Sequence, residues 1–165
     1  MVTDRRAFLG LAAAGTASLL LYGLAVPADA IPIRFAVNRS PAEWKRMLGS
    51  QRYHILREAG TERAFTSPLN DEHRQGTFLC AGCSKPLFAS ATKFDSGTGW
   101  PSFWKPLPGA VVTRSDHMFG MSRTEVLCAR CGGHLGHVFD DGPKPTGLRY
   151  CMNGLALKFR PAAVA

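Results

Sequence analysis

Two Cys-x-x-Cys pairs, Cys80/Cys83 and Cys128/Cys131, restrict what this chain can fold into more than any other feature. Each reads as a knuckle at a tight turn after a strand. The small residues around them, Ala81-Gly82 and Ala129 with Gly132-Gly133, let backbone amides turn toward the sulfurs. Four thiolates in two such knuckles suit tetrahedral Zn²⁺ at about 2.3 Å per bond. The pairs are far apart in sequence, so one ion would pin two distant hairpins together. That placement argues for a structural, closed site without an open position for water. Two disulfides are the rival arrangement in an oxidising compartment. A redox-active pair of thioredoxin type fits less well, because neither pair opens a helix after a βαβ strand.

The chain has 165 residues, 45% of them hydrophobic, which allows one domain with a real core plus terminal extras. The net charge of +8 suggests attraction to anionic surfaces. Lys and Arg are scattered, however, and no block of five or six like charges appears. Nor do they interleave with aromatics as a stacking platform for single strands would need. A solvated basic surface is therefore the preferred reading, and no nucleic-acid partner is expected.

Residues 1–30 read as a targeting segment. Arg5-Arg6 precede Ala7-Phe8-Leu9-Gly10, an apolar run continues to about Val26, and Pro27-Ala28-Asp29-Ala30 offers a small-x-small cleavage site. The paired arginines followed by Phe-Leu resemble a twin-arginine export signal. Cleavage is expected after Ala30. The alternative is an uncleaved N-terminal anchor, because the run approaches spanning length. Gly10, Gly15 and Gly23 weaken its hydrophobicity and favour cleavage. The expected location is the periplasm or cell envelope, with no stable membrane insertion once the signal is removed. The twin-arginine route carries folded proteins, so metal loaded before export would keep the paired cysteines from forming disulfides.

Residues 31–39 read as an extended, proline-containing lead-in. Ser40-Pro41-Ala42-Glu43 predicts a helix start, with Ser40 as cap, Pro41 at the first helical position and Glu43 completing a capping box. Trp44, Met47 and Leu48 would share a face, and Gly49 would stop the helix. A second short helix is expected over Gln51–Glu58, with Tyr53, Ile55 and Leu56 toward the core. From Gly76 on, short apolar runs alternate with Gly and Pro turns: Thr77–Cys80, Pro86–Ser90, Ala110–Ser115, Arg123–Cys128, His134–Phe139, Leu148–Met152 and Leu155–Phe159. That texture predicts a small antiparallel β domain over residues 40–160, covered by the helices, with a frayed tail at 161–165.

Cys151 is the unpaired fifth cysteine. Arg149 and Asn153 stand two residues to either side, so an extended strand would present all three on one face. A cation beside a thiol favours thiolate, the nucleophilic form. The plainer reading is a buried core cysteine. Two further motifs weigh against it. Gly99-Trp100-Pro101-Ser102-Phe103-Trp104 holds Trp100 in a rigid Gly/Pro loop, where an aromatic more often forms a binding wall. His134 and His137 lie three apart beside the second knuckle, and a histidine near a thiol can raise its thiolate fraction or deliver a proton. Metal ligation by these histidines is disfavoured, because four cysteines already complete a tetrahedron.

Taken in order, Cys80-x-x-Cys83, Gly99-Trp100-Pro101-Ser102-Phe103, Arg123-Thr124-Glu125-Val126, Cys128-x-x-Cys131, His134-Leu135-Gly136-His137-Val138-Phe139-Asp140-Asp141-Gly142-Pro143 and Leu148-Arg149-Tyr150-Cys151-Met152-Asn153 closely resemble the methionine-R-sulfoxide reductase B family. The resemblance runs from about Ser40 to Phe159. It implies a mainly β fold of two small antiparallel sheets (β-tent type) with short N-terminal helices and one structural Zn²⁺ on Cys80, Cys83, Cys128 and Cys131. It implies that Cys151 is the nucleophile, and that His134 and His137 orient the sulfoxide and supply its proton. Arg149 and Asn153 would set thiolate character and hold the oxygen side, and Trp100 and Phe139 would hold the substrate methyl. The implied partners are oxidised methionine in proteins or peptides and an external thiol, with the chain itself a monomer. The sequence departs from the family pattern at Thr98, where many members carry a resolving cysteine. Direct reduction of a Cys151 sulfenic acid by the external thiol is therefore expected; the alternative is resolution by a metal cysteine with loss of zinc. Two readings from other classes are a zinc-ribbon binding module and a thiol–disulfide oxidoreductase.

Overall fold

The computed structural model of the chain describes residues 34–117, 120 and 122–163. The expected export signal and the start of the lead-in lie outside the described residues. Helix α1 spans Pro41–Glu58 and begins with the capping box: Glu43 N–H donates to Ser40 Oγ at 3.3 Å, and Ser40 N–H donates to the Glu43 carboxylate at 2.9 Å. Gly49, at φ 68 and ψ 170, breaks the helical run, so α1 is two short helices end to end. Trp44, Ile55 and Leu56 are buried. Met47, expected on the core face, is 50% exposed. Trp44 and Leu48 define the buried stripe, and Met47, about 100° round the helix from Leu48, falls outside it.

Among the described residues nine strands follow: β1 Gly76–Cys80, β2 Pro86–Ala89, β3 Lys93–Phe94, β4 Ser102–Phe103, β5 Val111–Asp116, β6 Arg123–Cys128, β7 His134–Phe139, β8 Arg149–Met152 and β9 Leu157–Pro161. They form two antiparallel sheets, ordered β2-β1-β9 and β3-β4-β8-β7-β6-β5. The expected mainly β class is what the fold shows. The two-residue strands β3 and β4 carry no readable alternation; they exist because β8 and its neighbours offer them ladder partners.

Aromatic rings join the sheets. Phe103 of β4 stacks on Phe88 of β2 at 4.3 Å between centroids and meets Phe78 of β1 edge-on at 4.9 Å. All three are fully buried, and Leu87, Leu135, Met152 and Leu157 complete this core. Ring pairs of this kind add to the stability from area burial alone.

Helix α1 lies over the knuckles. A Cβ added at Gly82 would sit 3.5 Å from the Trp44 indole and 3.7 Å from Cys80 Sγ, so only a small residue fits beneath the ring. Arg57 lies over the same indole at 4.9 Å and donates to the Cys131 carbonyl at 2.9 Å. Trp44 Nε1–H is buried without an acceptor among the described residues. Trp44→Ala should therefore cost about 3–5 kcal/mol. Trp44→Phe, which removes an orphaned donor along with ring area, should stay within about 1.5 kcal/mol of the native chain. Thermal unfolding of the two variants checks the pair.

Candidate active site

Strand β8 lies inside the larger sheet, with β4 on one side and β7 on the other. Cys151 stands opposite Ser102 of β4 and opposite His137 of β7. His137 in turn faces Glu125 of β6, and Glu125 faces Arg114 of β5. Directly opposed residues of antiparallel strands share a face. The register therefore lays Ser102, Cys151, His137, Glu125 and Arg114 in a row across five strands.

His134 joins that face through a bulge. Regular alternation would send residues three apart to opposite sides of β7. Here Val126 pairs with Gly136 while Leu127 pairs with His134, so Leu135 is the extra residue. The two imidazoles end up 5.4 Å apart, edge to face. Gly136 makes the geometry possible. Its φ is 154, and a Cβ there would lie 2.1 Å from the Cys151 carbonyl oxygen. No side chain fits between β7 and β8 at that point.

Both imidazoles are held by carboxylates. His134 Nδ1 donates to Glu125 at 2.6 Å, and His134 Nε2 is buried with no partner among the described residues. Burial pushes the Glu125 carboxyl up, but hydrogen bonds from His134 and Arg114 hold it below the ordinary range. His137 Nε2 donates to Asp116 at 2.8 Å, and Arg123 donates to the same Asp116 oxygen at 2.7 Å. Burial lowers the His137 pKa despite Asp116, and the nearby Arg123 and His134 lower it further. His137 is thus neutral at pH 7, with its tautomer set by Asp116.

Cys151 is half-buried. It lines a cleft of about 140 Å³ together with Thr61, Trp100, Arg123, His137, Phe139 and Asn153. Burial raises the thiol above its usual range, against lowering by Thr98, Arg149 and Ser102. Arg149 favours the thiolate, as expected of a neighbouring cation, but burial outweighs it. Arg149 donates two hydrogen bonds to Asp141, at 2.8 and 2.7 Å, and its guanidinium lies 4.4 Å over the Phe139 ring. Its charge is shared with a carboxylate, and desolvation of the sulfur outweighs what is left.

Asn153, expected on the Cys151 face of the strand, lies just beyond the end of β8 and is buried. Its amide accepts from Glu62 N–H at 2.9 Å and donates to the Leu135 carbonyl at 3.3 Å. Glu62 is a site residue that the sequence did not announce. Its carbonyl accepts from Trp100 Nε1 at 3.1 Å, and its carboxylate accepts from the backbone N–H groups of Gly154 and Leu155. One residue thus ties the Trp100 wall to the chain that leaves Cys151. Nothing local marks it, since it lies in a loop with neither helical nor strand period. Asp116 was equally silent, one residue past the predicted strand over Ala110–Ser115.

The other four sulfurs converge as expected. Cys80, Cys83, Cys128 and Cys131 lie within 4.8 Å of one another. The closest approaches run between the knuckles, Cys80 to Cys131 at 3.7 Å and Cys83 to Cys128 at 3.5 Å. A tetrahedral ion with arms of about 2.3 Å asks for sulfurs about 3.8 Å apart. The crowding pushes the Cys80 and Cys131 thiols up and the Cys128 thiol down, each through its sulfur neighbours. Four crowded sulfurs that cannot all ionise alone are the donor set a divalent cation relieves.

Comparison with known proteins agrees with this geometry. The SelR domain model matches residues 48–161. Over 126 residues the chain is 57% identical to the peptide methionine sulfoxide reductase MsrB of Agrobacterium fabrum, covering 76% of this chain and 93% of the relative. The protein of the same name from Leptospira interrogans is 53% identical over 78% of this chain and 98% of its own length. The one from Methanosarcina barkeri is 50% identical over 76% and 89%. The chain belongs to the MsrB family. Within this MsrB-family site, Thr98 Oγ1 lies 3.8 Å from Cys151 Sγ, so the position that the resemblance assigns to a resolving cysteine touches the odd thiol.

Because Arg149 is one of the groups that lower the Cys151 pKa, Arg149→Gln should move the thiol further up. Thiolate fraction falls as pKa rises at fixed pH, so the pH midpoint for alkylation of Cys151 by iodoacetamide should shift to higher pH. Asp141→Asn, which leaves the guanidinium charge unshared, should shift it the other way. Peptide mapping of alkylated Cys151 across a pH series checks both signs.

Proposed function

We propose that the chain reduces methionine-R-sulfoxide, chiefly in polypeptides, to methionine at the expense of an external thiol. The observation that carries this reading is one cleft in which the Cys151 sulfur lies between aromatic surface, Trp100 and Phe139, and the imidazole of His137. A sulfoxide is a poor electrophile until its oxygen is protonated or strongly hydrogen-bonded. Attack at sulfur and proton delivery to oxygen therefore belong together, and donors aimed at the developing charge are worth about 3 kcal/mol each.

In this reading Cys151 Sγ attacks the sulfoxide sulfur while a proton passes to the oxygen. With a raised thiol and a lowered histidine, that proton starts on Cys151, and His137 carries it across. His134 and Asn153 steady the oxygen side. The hydroxyl then shifts from the methionine sulfur to Cys151 as the new S–S bond breaks; methionine departs with that electron pair, and Cys151 is left as a sulfenic acid. A first external thiol displaces it as water and forms a mixed disulfide. A second thiol then releases the external disulfide and regenerates Cys151. Sulfur in a sulfoxide is chiral, so a pocket with methyl against an indole and oxygen against imidazole admits one epimer.

Cys80, Cys83, Cys128 and Cys131 would hold one structural Zn²⁺, which when bound supplies a crosslink between two hairpins. Cys128 ends β6 and Cys131 lies three residues before His134, so the knuckle anchors the strand that bears both histidines. Residues 1–30 would direct export through the twin-arginine pathway, a reading supported by Arg5-Arg6, the weak apolar run and Ala28-Asp29-Ala30.

The test is a stereochemically pure pair of methionine sulfoxide peptides with dithiothreitol as donor. Turnover of the R epimer alone is expected, and Cys151→Ser should abolish it without altering metal content. Equal turnover of both epimers, or activity surviving in Cys151→Ser, would sink the reading. A second measurement concerns Thr98. Mass spectrometry after one turnover without reductant should find Cys151 oxidised, no internal disulfide and one zinc per chain retained. An internal disulfide with zinc released would show that a metal cysteine resolves the intermediate.

A further inference from the structure

Phe65 is 74% exposed, the most exposed large apolar side chain among the described residues. It is also a bulky residue at φ 64, a left-handed conformation that such side chains rarely adopt. Both features are unfavourable for the isolated chain, yet the turn is held firmly. Phe65 N–H donates to the Gly99 carbonyl at 2.8 Å, and Asn70 donates to the same oxygen at 3.1 Å. A Cβ at Gly99 would lie 2.8 Å from both Phe65 Cδ2 and Phe65 N. The strained turn is thus clamped to the residue before Trp100. Strained backbone of this kind gathers at ligand clamps.

Between them, Phe65, Phe94, Gly99, Trp100 and Pro101 line a groove of about 200 Å³. Trp100 also walls the Cys151 cleft, so the two spaces share one indole. Of the polar groups at the margin, Lys93 donates to the Asn70 carbonyl at 2.6 Å and Asp95 accepts from Gly97 N–H at 2.9 Å, while Asp71 and His73 stand exposed beside them. The apolar part of the groove is made by Phe65, Phe94, Trp100 and Pro101. A side chain held in the cleft would leave its neighbours in the polypeptide over this groove.

We propose that the Phe65–Trp100 groove binds an apolar side chain adjacent to the methionine sulfoxide of a polypeptide substrate, an inference that rests on the reductase reading above. The chemistry suits such a substrate. Methionine is mainly a core residue, and oxidation makes it polar and disrupts the core around it. Segments exposed by that damage carry apolar neighbours.

The experiment compares two R-sulfoxide peptides, one with Leu on both sides of the sulfoxide and one with Ser on both sides, with dithiothreitol as donor. The native chain should favour the Leu peptide by about tenfold in kcat/KM, the scale of one good hydrophobic contact. Phe65→Gly, which accepts the positive φ, should bring that ratio to about one. Phe65→Asn, which also tolerates the left-handed region, serves if the glycine variant fails to fold. Absence of a Leu preference in the native chain overturns the proposal. So does a preference that survives removal of the ring, or an equal fall for both peptides, which would mean that Phe65 merely braces Trp100. Failure of the native chain to reduce either peptide would instead overturn the reductase reading.

Discussion

The site depends on one backbone contact, the approach of β7 to β8 where Gly136 passes the carbonyl of Cys151. With no Cβ in the way, the strands can pair while β7 carries a bulge, and the bulge turns His134 onto the face that His137 already occupies. Without the bulge, one imidazole would enter the core among Leu135 and Met152. With it, both imidazoles lie on the face of the sheet that carries the thiol, and His137 lines the Cys151 cleft while His134 borders the neighbouring one. The chemistry proposed for the cleft therefore rests on the absence of a side chain.

The charges around that space are arranged so that none is left alone. Glu125 fixes His134, Asp116 fixes His137 and shares Arg123, and Asp141 takes up Arg149. A buried acid or base without a partner would be destabilising by several kcal/mol, so each arrives with its counter-group. Burial raises the Cys151 thiol and lowers the neighbouring His137 imidazole, so desolvation favours the neutral form of each. The Trp100 wall is kept at its distance by Glu62, whose backbone and carboxylate bridge from the indole to the turn after β8.

Away from the cleft, two features bring distant strands together. Phe78, Phe88 and Phe103 lock the smaller sheet to the edge of the larger one. The four clustered sulfurs join the end of β1 to the turn between β6 and β7, beneath Trp44. The ring packing stabilises strands of two to six residues that would not persist singly.

Much of this was legible in the residues themselves. The capping box and Gly49 announced the broken helix, the Gly/Pro-punctuated apolar runs announced seven of the nine strands, and paired cysteines announced a four-sulfur cluster. Those features are written in local spacing, and local spacing acts before tertiary contacts form. Strands β3 and β4, the bulge at Leu135, the sharing of Arg149 with Asp141 and the bridging by Glu62 were not legible, and neither was the upward shift of the Cys151 thiol. Each depends on partners tens of residues away or on how deeply a group is buried. The sequence by itself determined which chemical groups the chain carries and where its strands turn. The tertiary structure alone decided which of those groups meet and how far water is kept from them, because register and desolvation are properties of the packed sheet.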